Sequence, residues 1–254
     1  MKKTNEPFVK FENVTLAYGD KVIVHDLNFT IDHGDIFVLM GMSGCGKSTV
    51  MRAIIGLVKP IKGHIFVNGT NLWALAPDKR DEIIGTFGIS YQSGALFSSM
   101  TLYENVALPL EMKTDLPPTE IHKRVMGKLE LVGLGDYADF YPSEISGGMV
   151  KRAALARAMV INPQALFFDE PSAGLDPLRA NQLDNLIVDI SKKTGATVVM
   201  VTHELDSIMT IATNSVYIDA QTKTIIGGGK PIQLLRTTKN RQIREFLTTK
   251  LKRN

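Results

Sequence analysis

A chain of 254 residues, 44% hydrophobic and 22% charged, has ample material for a packed core and the composition of an ordinary globular protein. Its net charge of +3 gives no reason to expect a nucleic-acid partner. One cysteine, Cys45, excludes an internal disulfide framework, and no stretch reaches the ~20 apolar residues that cross a bilayer.

The opening residues, MKKTNEPFVKFENV, are basic but lack the apolar run of a signal peptide. A role at a membrane would therefore need another subunit to supply the spanning part. From Phe8 to Asp35 apolar and polar residues alternate between Gly and Asp turns, which predicts antiparallel strands. Residues 35–40, DIFVLM, form a continuous apolar run typical of a buried central strand, and a Gly-rich turn follows. A helix is expected from Lys47 to about Leu57, stopping before Pro60, and then a short strand over 63–69.

The pattern is mostly helical from about Ser93 to Met159, with Ile121, Val125, Leu129 and Val132 at helical spacing. Parallel-strand signals return at 165–170 and 196–203, separated by a helix from about Pro177 to Lys193. Residues 216–226 read as a hairpin. After a break at Gly227-Gly228-Gly229, one helix is expected over 231–251, with Ile232, Leu235, Ile243, Phe246 and Leu247 as its apolar members. The layout is an α/β core with a helical insert and a small β layer. As domains, we expect 1–238, with the insert at about 93–159, and a basic tail at 239–254.

The strongest chemical signal is Gly41-Met42-Ser43-Gly44-Cys45-Gly46-Lys47-Ser48, followed by Thr49, which fits G-x-x-x-x-G-K-[ST] between a strand and a helix. Glycines let backbone N–H groups close around phosphates, and the helix N-terminus adds a positive dipole. Lys47 is expected to reach the β- and γ-phosphates, and the Ser48 hydroxyl to ligate Mg²⁺. Cys45, close to Lys47 and a helix N-terminus, is expected to favour its thiolate.

Asp169 and Glu170 close an apolar strand, where carboxylates face the ligand crevice of such sheets. Asp169 can hold Mg²⁺ through water, and Glu170 can polarise an attacking water. Ser146-Gly147-Gly148 opens a strong helix former. By itself this is best read as a helix cap. A second anion-binding N-terminus makes sense if it serves a neighbouring copy of the chain.

Taken in order, GMSGCGKST, Gln92, ISGGM, LFFDEP, the Leu175-Asp176 pair and His203 resemble the ATPase subunits of ABC transporters over residues 8–228. The resemblance implies a RecA-like parallel-sheet core, a small antiparallel β subdomain and an inserted helical subdomain, with ATP and Mg²⁺ as cofactors. It implies that Tyr18 stacks on adenine, although a strand aromatic in the β layer is the alternative. It implies that Gln92 contacts Mg²⁺ and the attacking water, and that His203 hydrogen-bonds the γ-phosphate. His203 alone would read as a surface histidine at a strand end. Asp176 would lie in a loop crossing a head-to-tail dimer, in which Ser146, Gly147 and Gly148 of one copy face the γ-phosphate held by Lys47 of the other.

Met149 stands where most of that family carries Gln. This residue, the segment Tyr91-Gln92-Ser93-Gly94-Ala95-Leu96-Phe97 and the tail fragment 239–247 are similar to the Mla/Mce-type ATPases of intermembrane phospholipid transport. That branch implies a position on the cytoplasmic face of the bacterial inner membrane. Its partners would be an integral membrane permease, a small STAS-type subunit and a periplasmic Mce-domain lipid-binding protein. Ala95-Leu96-Phe97 either receives the permease or packs inside the insert. Another ABC importer or exporter would keep every ATP residue. A mechanical ABC ATPase would need a long coiled-coil insert that this sequence lacks, and a P-loop kinase would lack Ser146-Gly147-Gly148.

Overall fold

The computed structural model describes residues 6–248. Its described residues form two compact units, one from residues 6–85 and 197–248 and the other from residues 86–196.

The first unit begins with the expected antiparallel pair, β1 (Val9–Tyr18) and β2 (Lys21–Ile31), reversed at Gly19 with φ 55°. Strand β4 (Lys62–Val67) joins the other edge of β1, and the short β5 (Thr70–Asn71) joins β4. Phe11, Phe29 and Phe37 stack in series, with centroids 4.4 and 5.7 Å apart. Strand β3 (Ile36–Met40) is buried at all five positions, as expected of a central parallel strand covered on both faces. It runs parallel to β8 (Thr197–Val201) on one side and to β9 (Asn214–Ile218) on the other. Helix α1 (Lys47–Ile54) follows β3, α2 (Pro77–Ile84) follows β5 and α7 (Leu205–Ile211) links β8 to β9.

Three expectations need correction in this unit. Helix α1 stops at Ile54 because Gly56 turns left-handed at φ 78° and Leu57 N–H returns 2.8 Å to the Arg52 carbonyl. Gly227 and Gly228 are no break, since both lie in β10 (Ile225–Gly228), antiparallel to β9. A Cβ on Gly227 would sit 2.5 Å from Ile243 Cδ1, so glycine here admits close packing. The expected C-terminal helix is two, α8 (Pro231–Thr237) and α9 (Arg241–Thr248), because Asn240 caps the second through its side chain. Leu234 is the buried leucine of α8 in place of Leu235, while Ile243 and Leu247 are buried as expected; Leu251 lies outside the described residues.

The second unit holds the parallel pair β6 (Phe87–Ser90) and β7 (Ala165–Asp169). Its helices are α3 (Leu102–Lys113), α4 (Pro118–Leu131), α5 (Gly147–Met159) and α6 (Pro177–Thr194). Helix α3 starts at a Thr101–Glu104 capping box. The apolar seam Ile121, Val125, Leu129 and Val132 is buried as its spacing predicts. Helix α5 lies so close to β6 that a Cβ on Gly88 would meet the Ala158 carbonyl at 2.1 Å. No helix among the described residues is long and apolar enough to cross a membrane.

Candidate functional site

The first unit carries the phosphate-loop sequence. Gly41, Gly44 and Gly46 take φ 145°, 79° and 105°, values that side chains resist. A Cβ on Gly41 would lie 2.4 Å from the Ile218 carbonyl oxygen, and one on Gly46 2.8 Å from Val24 Cγ1. Met42, Ser43 and Gly44 are exposed and carry the loop outward, while Thr49 is buried in the helix. Helix α1 then begins with no side-chain cap and no acidic residue in its first turn. The dipole of this helix end favours an anion. Lys47 is buried, and its ammonium donates to the Gly41 and Met42 carbonyls at 2.9 and 3.0 Å. Ser48 stands beside it. This cradle fits a polyphosphate.

Cys45 corrects the sequence reading. It is 3% exposed, and burial pushes its thiol above the ordinary value despite the opposing Lys47 charge. The neutral thiol is favoured, and the sulfur lies at the back of the loop, where a Cβ on Gly41 would meet it.

Two other predicted residues fall on this unit. Tyr18 ends β1 with 48% exposure, leaving its ring free to stack. His203 follows β8, beyond the buried Thr202, with most of its side chain exposed and Nε2 3.6 Å from Glu204 Oε1.

The second unit carries the remaining residues. Asp169 is the last residue of β7, and Glu170 follows in a left-handed conformation at φ 52°. Few non-glycine residues adopt that region, and such strain is concentrated at functional sites. The turn continues through Ala173 N–H to the Glu170 carbonyl and Leu175 N–H to the Ser172 carbonyl. Asp176 then caps α6, accepting from Arg179 N–H at 3.0 Å. Ser146 caps α5 through a 3.4 Å bond from Met149 N–H. Gly147 has nothing within 4 Å of its missing Cβ, and Gly148 would make only ordinary contacts with Leu175 and Arg179. Ser48 of the first unit carries a hydroxyl oxygen, and Gln92 and Asp169 of the second carry amide and carboxylate oxygens, the kinds of hard donor that Mg²⁺ prefers.

Gln92 is exposed. The segment after it is held by two polar side chains of the insert that the sequence reading did not single out. Arg157 donates to the Gly94 and Ala95 carbonyls, both at 2.8 Å. Asn105, fully buried, donates to the Phe97, Met100 and Thr101 carbonyls and accepts from Phe97 N–H at 2.8 Å. So held, Phe97 is 51% exposed and Leu96 is half-buried, which favours the exposed reading of Ala95-Leu96-Phe97 for the phenylalanine. A third such residue is Lys151, whose ammonium donates to the Ala173 carbonyl in the Glu170–Asp176 turn. A charged or amide residue amid apolar helix positions, as in YENVAL and ALARA, is the signal that could have revealed the first two.

The sequence profile described as "ABC transporter" matches residues 24–173, more than half of the chain. The chain belongs to the ABC transporter family. The cassette is 40% identical over 239 residues to the probable ribonucleotide transport ATP-binding protein mkl of Mycobacterium tuberculosis. That alignment covers 94% of the cassette and 66% of the mycobacterial protein, so the cassette spans just under two thirds of this relative. It is 36% identical over 247 residues to the intermembrane phospholipid transport system ATP-binding protein MlaF of Escherichia coli, covering 97% of the cassette and 91% of MlaF. Among solved structures, cbiO1 of Clostridium perfringens, part of the ABC transporter complex cbiONQ, superposes with TM-score 0.84 at 26% identity, covering 98% and 97% of the two chains. A dimeric ATP-binding cassette in a post-hydrolysis state with ADP and Pi matches with TM-score 0.78 at 29% identity, covering 87% and 98%. The α/β fold expected from the sequence, with its antiparallel β subdomain and helical insert, is the fold of these cassettes.

Proposed function

We propose that the cassette is the ATP-hydrolysing subunit of a bacterial transporter that moves phospholipid between the inner and outer membranes. The observation that carries hydrolysis is Lys47. Its buried ammonium is held on two loop carbonyls beside an uncapped helix, and no carboxylate pairs with it among the described residues. A buried cation in such a setting calls for an anionic ligand. Support for phospholipid as cargo comes from the likeness to MlaF across nearly its whole length.

In this reading Tyr18 stacks on adenine, and residues Gly41 to Thr49 hold the phosphates through backbone N–H groups, Lys47 and Ser48. Ser48, Gln92 and Asp169 would hold Mg²⁺, which would supply positive charge to offset that of the phosphates. Glu170 orients the attacking water and takes its proton, and His203 donates to the γ-phosphate oxygen. A second copy, arranged head to tail, brings Ser146, Gly147 and Gly148 to the same phosphate. The dimer therefore closes on ATP and opens after cleavage, because the ligand favours one state only while its γ-phosphate is attached.

The partner at the membrane is a permease that docks on exposed Phe97. The basic tail from residue 239 contacts the second copy or a small STAS-type subunit, and an Mce-domain protein receives lipid on the periplasmic side. This places the cassette peripherally, on the cytoplasmic face of the inner membrane. The 40% identity to a relative named for ribonucleotide transport favours a second reading, with the same ATPase and a different cargo.

Two experiments separate these levels. Glu170→Gln should leave ATP binding intact and lower hydrolysis by ~10²–10⁴-fold; unchanged turnover would remove the assigned base. Purification of the tagged complex from native membranes, with mass spectrometry of proteins and lipids, tests the cargo. A multispan permease with an Mce-domain protein and phospholipid is expected. A solute permease without lipid would overturn the cargo and leave the ATPase standing.

A further inference from the structure

The second unit contains a cavity of about 300 Å³ at the C-terminal ends of α4, α5 and α6. These are the ends opposite Ser146 on α5 and Asp176 on α6. Its wall is apolar: Met159, Leu166 and Ile190 are almost fully buried, and Leu131 lies at the rim with 39% exposure. Lys128 and Lys193 also line it. The cavity is at the small end of the range for ligand pockets, about 300–1,000 Å³.

Lys128 is the informative residue. It is half-buried, donates to the Asn162 side-chain oxygen at 2.8 Å, and forms no ion pair with a carboxylate among the described residues. Asn162 holds that oxygen from a left-handed backbone at φ 50°. Burial, together with the positive charge of Arg124, pushes the Lys128 amine below its ordinary value. Arg124 itself is paired with Glu120 at 2.8 Å. A half-buried ammonium held by one neutral amide oxygen has donors left over, and an anion entering the cavity would satisfy them. Lys193 adds a second ammonium at the same cavity, again in no ion pair with a carboxylate among the described residues.

We propose that this cavity binds a small amphiphilic anion, with its carboxylate or phosphate head on Lys128 and Lys193 and its hydrocarbon part against Leu131, Met159, Leu166 and Ile190. An apolar wall with two cations at its edge selects for that combination: a neutral alcohol leaves the ammonium groups unmatched, and a cationic amphiphile is repelled by them. None of its lining residues belongs to the phosphate loop.

The test is isothermal titration of the full chain, saturated with ATP analogue, with decanoate, decyl phosphate, decanol and decyltrimethylammonium. One saturable site for either anion is expected, with the tighter of the two identifying the head group and with no saturable binding of the cation. Lys128→Met should weaken the anion about tenfold or more, the scale of a lost charge-assisted hydrogen bond. Leu131→Glu, at an exposed position that folding tolerates, should weaken it similarly by placing a like charge at the rim. Thermal unfolding and nucleotide affinity should be unchanged in both variants. Absence of anion binding, equal binding of the cation, or undiminished binding by both folded variants would overturn the proposal.

Discussion

Two helices of this cassette begin in glycine-rich sequence, and their glycines are required for different reasons. At α1 the chain itself demands them: a side chain on Gly41 would enter the Ile218 carbonyl, and one on Gly46 would enter Val24. At α5 the chain demands nothing, because Gly147 faces open space and Gly148 would make only ordinary contacts. The first helix has no side-chain cap, whereas the second is capped by Ser146. The phosphate loop is thus shaped from within, and its ligand meets a finished backbone. At α5 the glycines leave open space, and in the proposed dimer that space would receive the nucleotide of a neighbouring copy.

The largest effect should come from breaking the internally required site. Gly41→Ala forces a Cβ to 2.4 Å from a carbonyl oxygen at φ 145° and should cost about 3 kcal/mol of stability, with nucleotide binding lost. Thermal unfolding and fluorescent-nucleotide titration would measure both. Gly147→Ala sharpens the contrast. Its stability should be unchanged or raised by about 0.5 kcal/mol, while ATP-driven turnover falls about a hundredfold, the scale of an ångström's misplacement at a reacting centre. Full activity in that variant would mean the open space is not used.

Ser146→Ala should cost less in stability, about 0.5–1 kcal/mol, because its capping bond is long at 3.4 Å. The loss of hydrolysis should exceed what that destabilisation explains. The smallest effect concerns Cys45. Since the fold favours the neutral thiol, maleimide should react slowly at pH 7 and faster as pH rises beyond 9.0, the thiol's ordinary value. The same preference stabilises the fold fully below that pH, and the contribution declines as pH climbs through the raised folded value. Rapid labelling at neutral pH, measured by mass shift, would show a more open loop.

The sequence makes the phosphate loop, the strand ending in Asp169 and the capped Ser146 helix legible because each is a local pattern with a local physical cause. Cys45 shows where that reading stops. Its neighbours in sequence, Lys47 and a helix N-terminus, favour the thiolate, but burial depends on distant chain and wins. The partners of Arg157 were hidden for a related reason. The Arg157 bonds span 62 and 63 residues of chain, so nothing in the Ala-rich helix announces their acceptors. At the C-terminus apolar spacing suggested one helix, and the Asn240 cap overruled it. The roles proposed for Gln92, His203 and Asp176 rest on the resemblance, because no local pattern of the chain specifies them.

The left-handed backbone of Glu170 bears on how this sequence can change. A glycine there would relieve the conformational penalty, about 1 kcal/mol or more. It would also remove the carboxylate assigned to the attacking water. If Glu170 is the base proposed above, selection for backbone ease alone would favour a cassette that holds ATP without spending it, and only a screen that reads turnover would keep the acid in place.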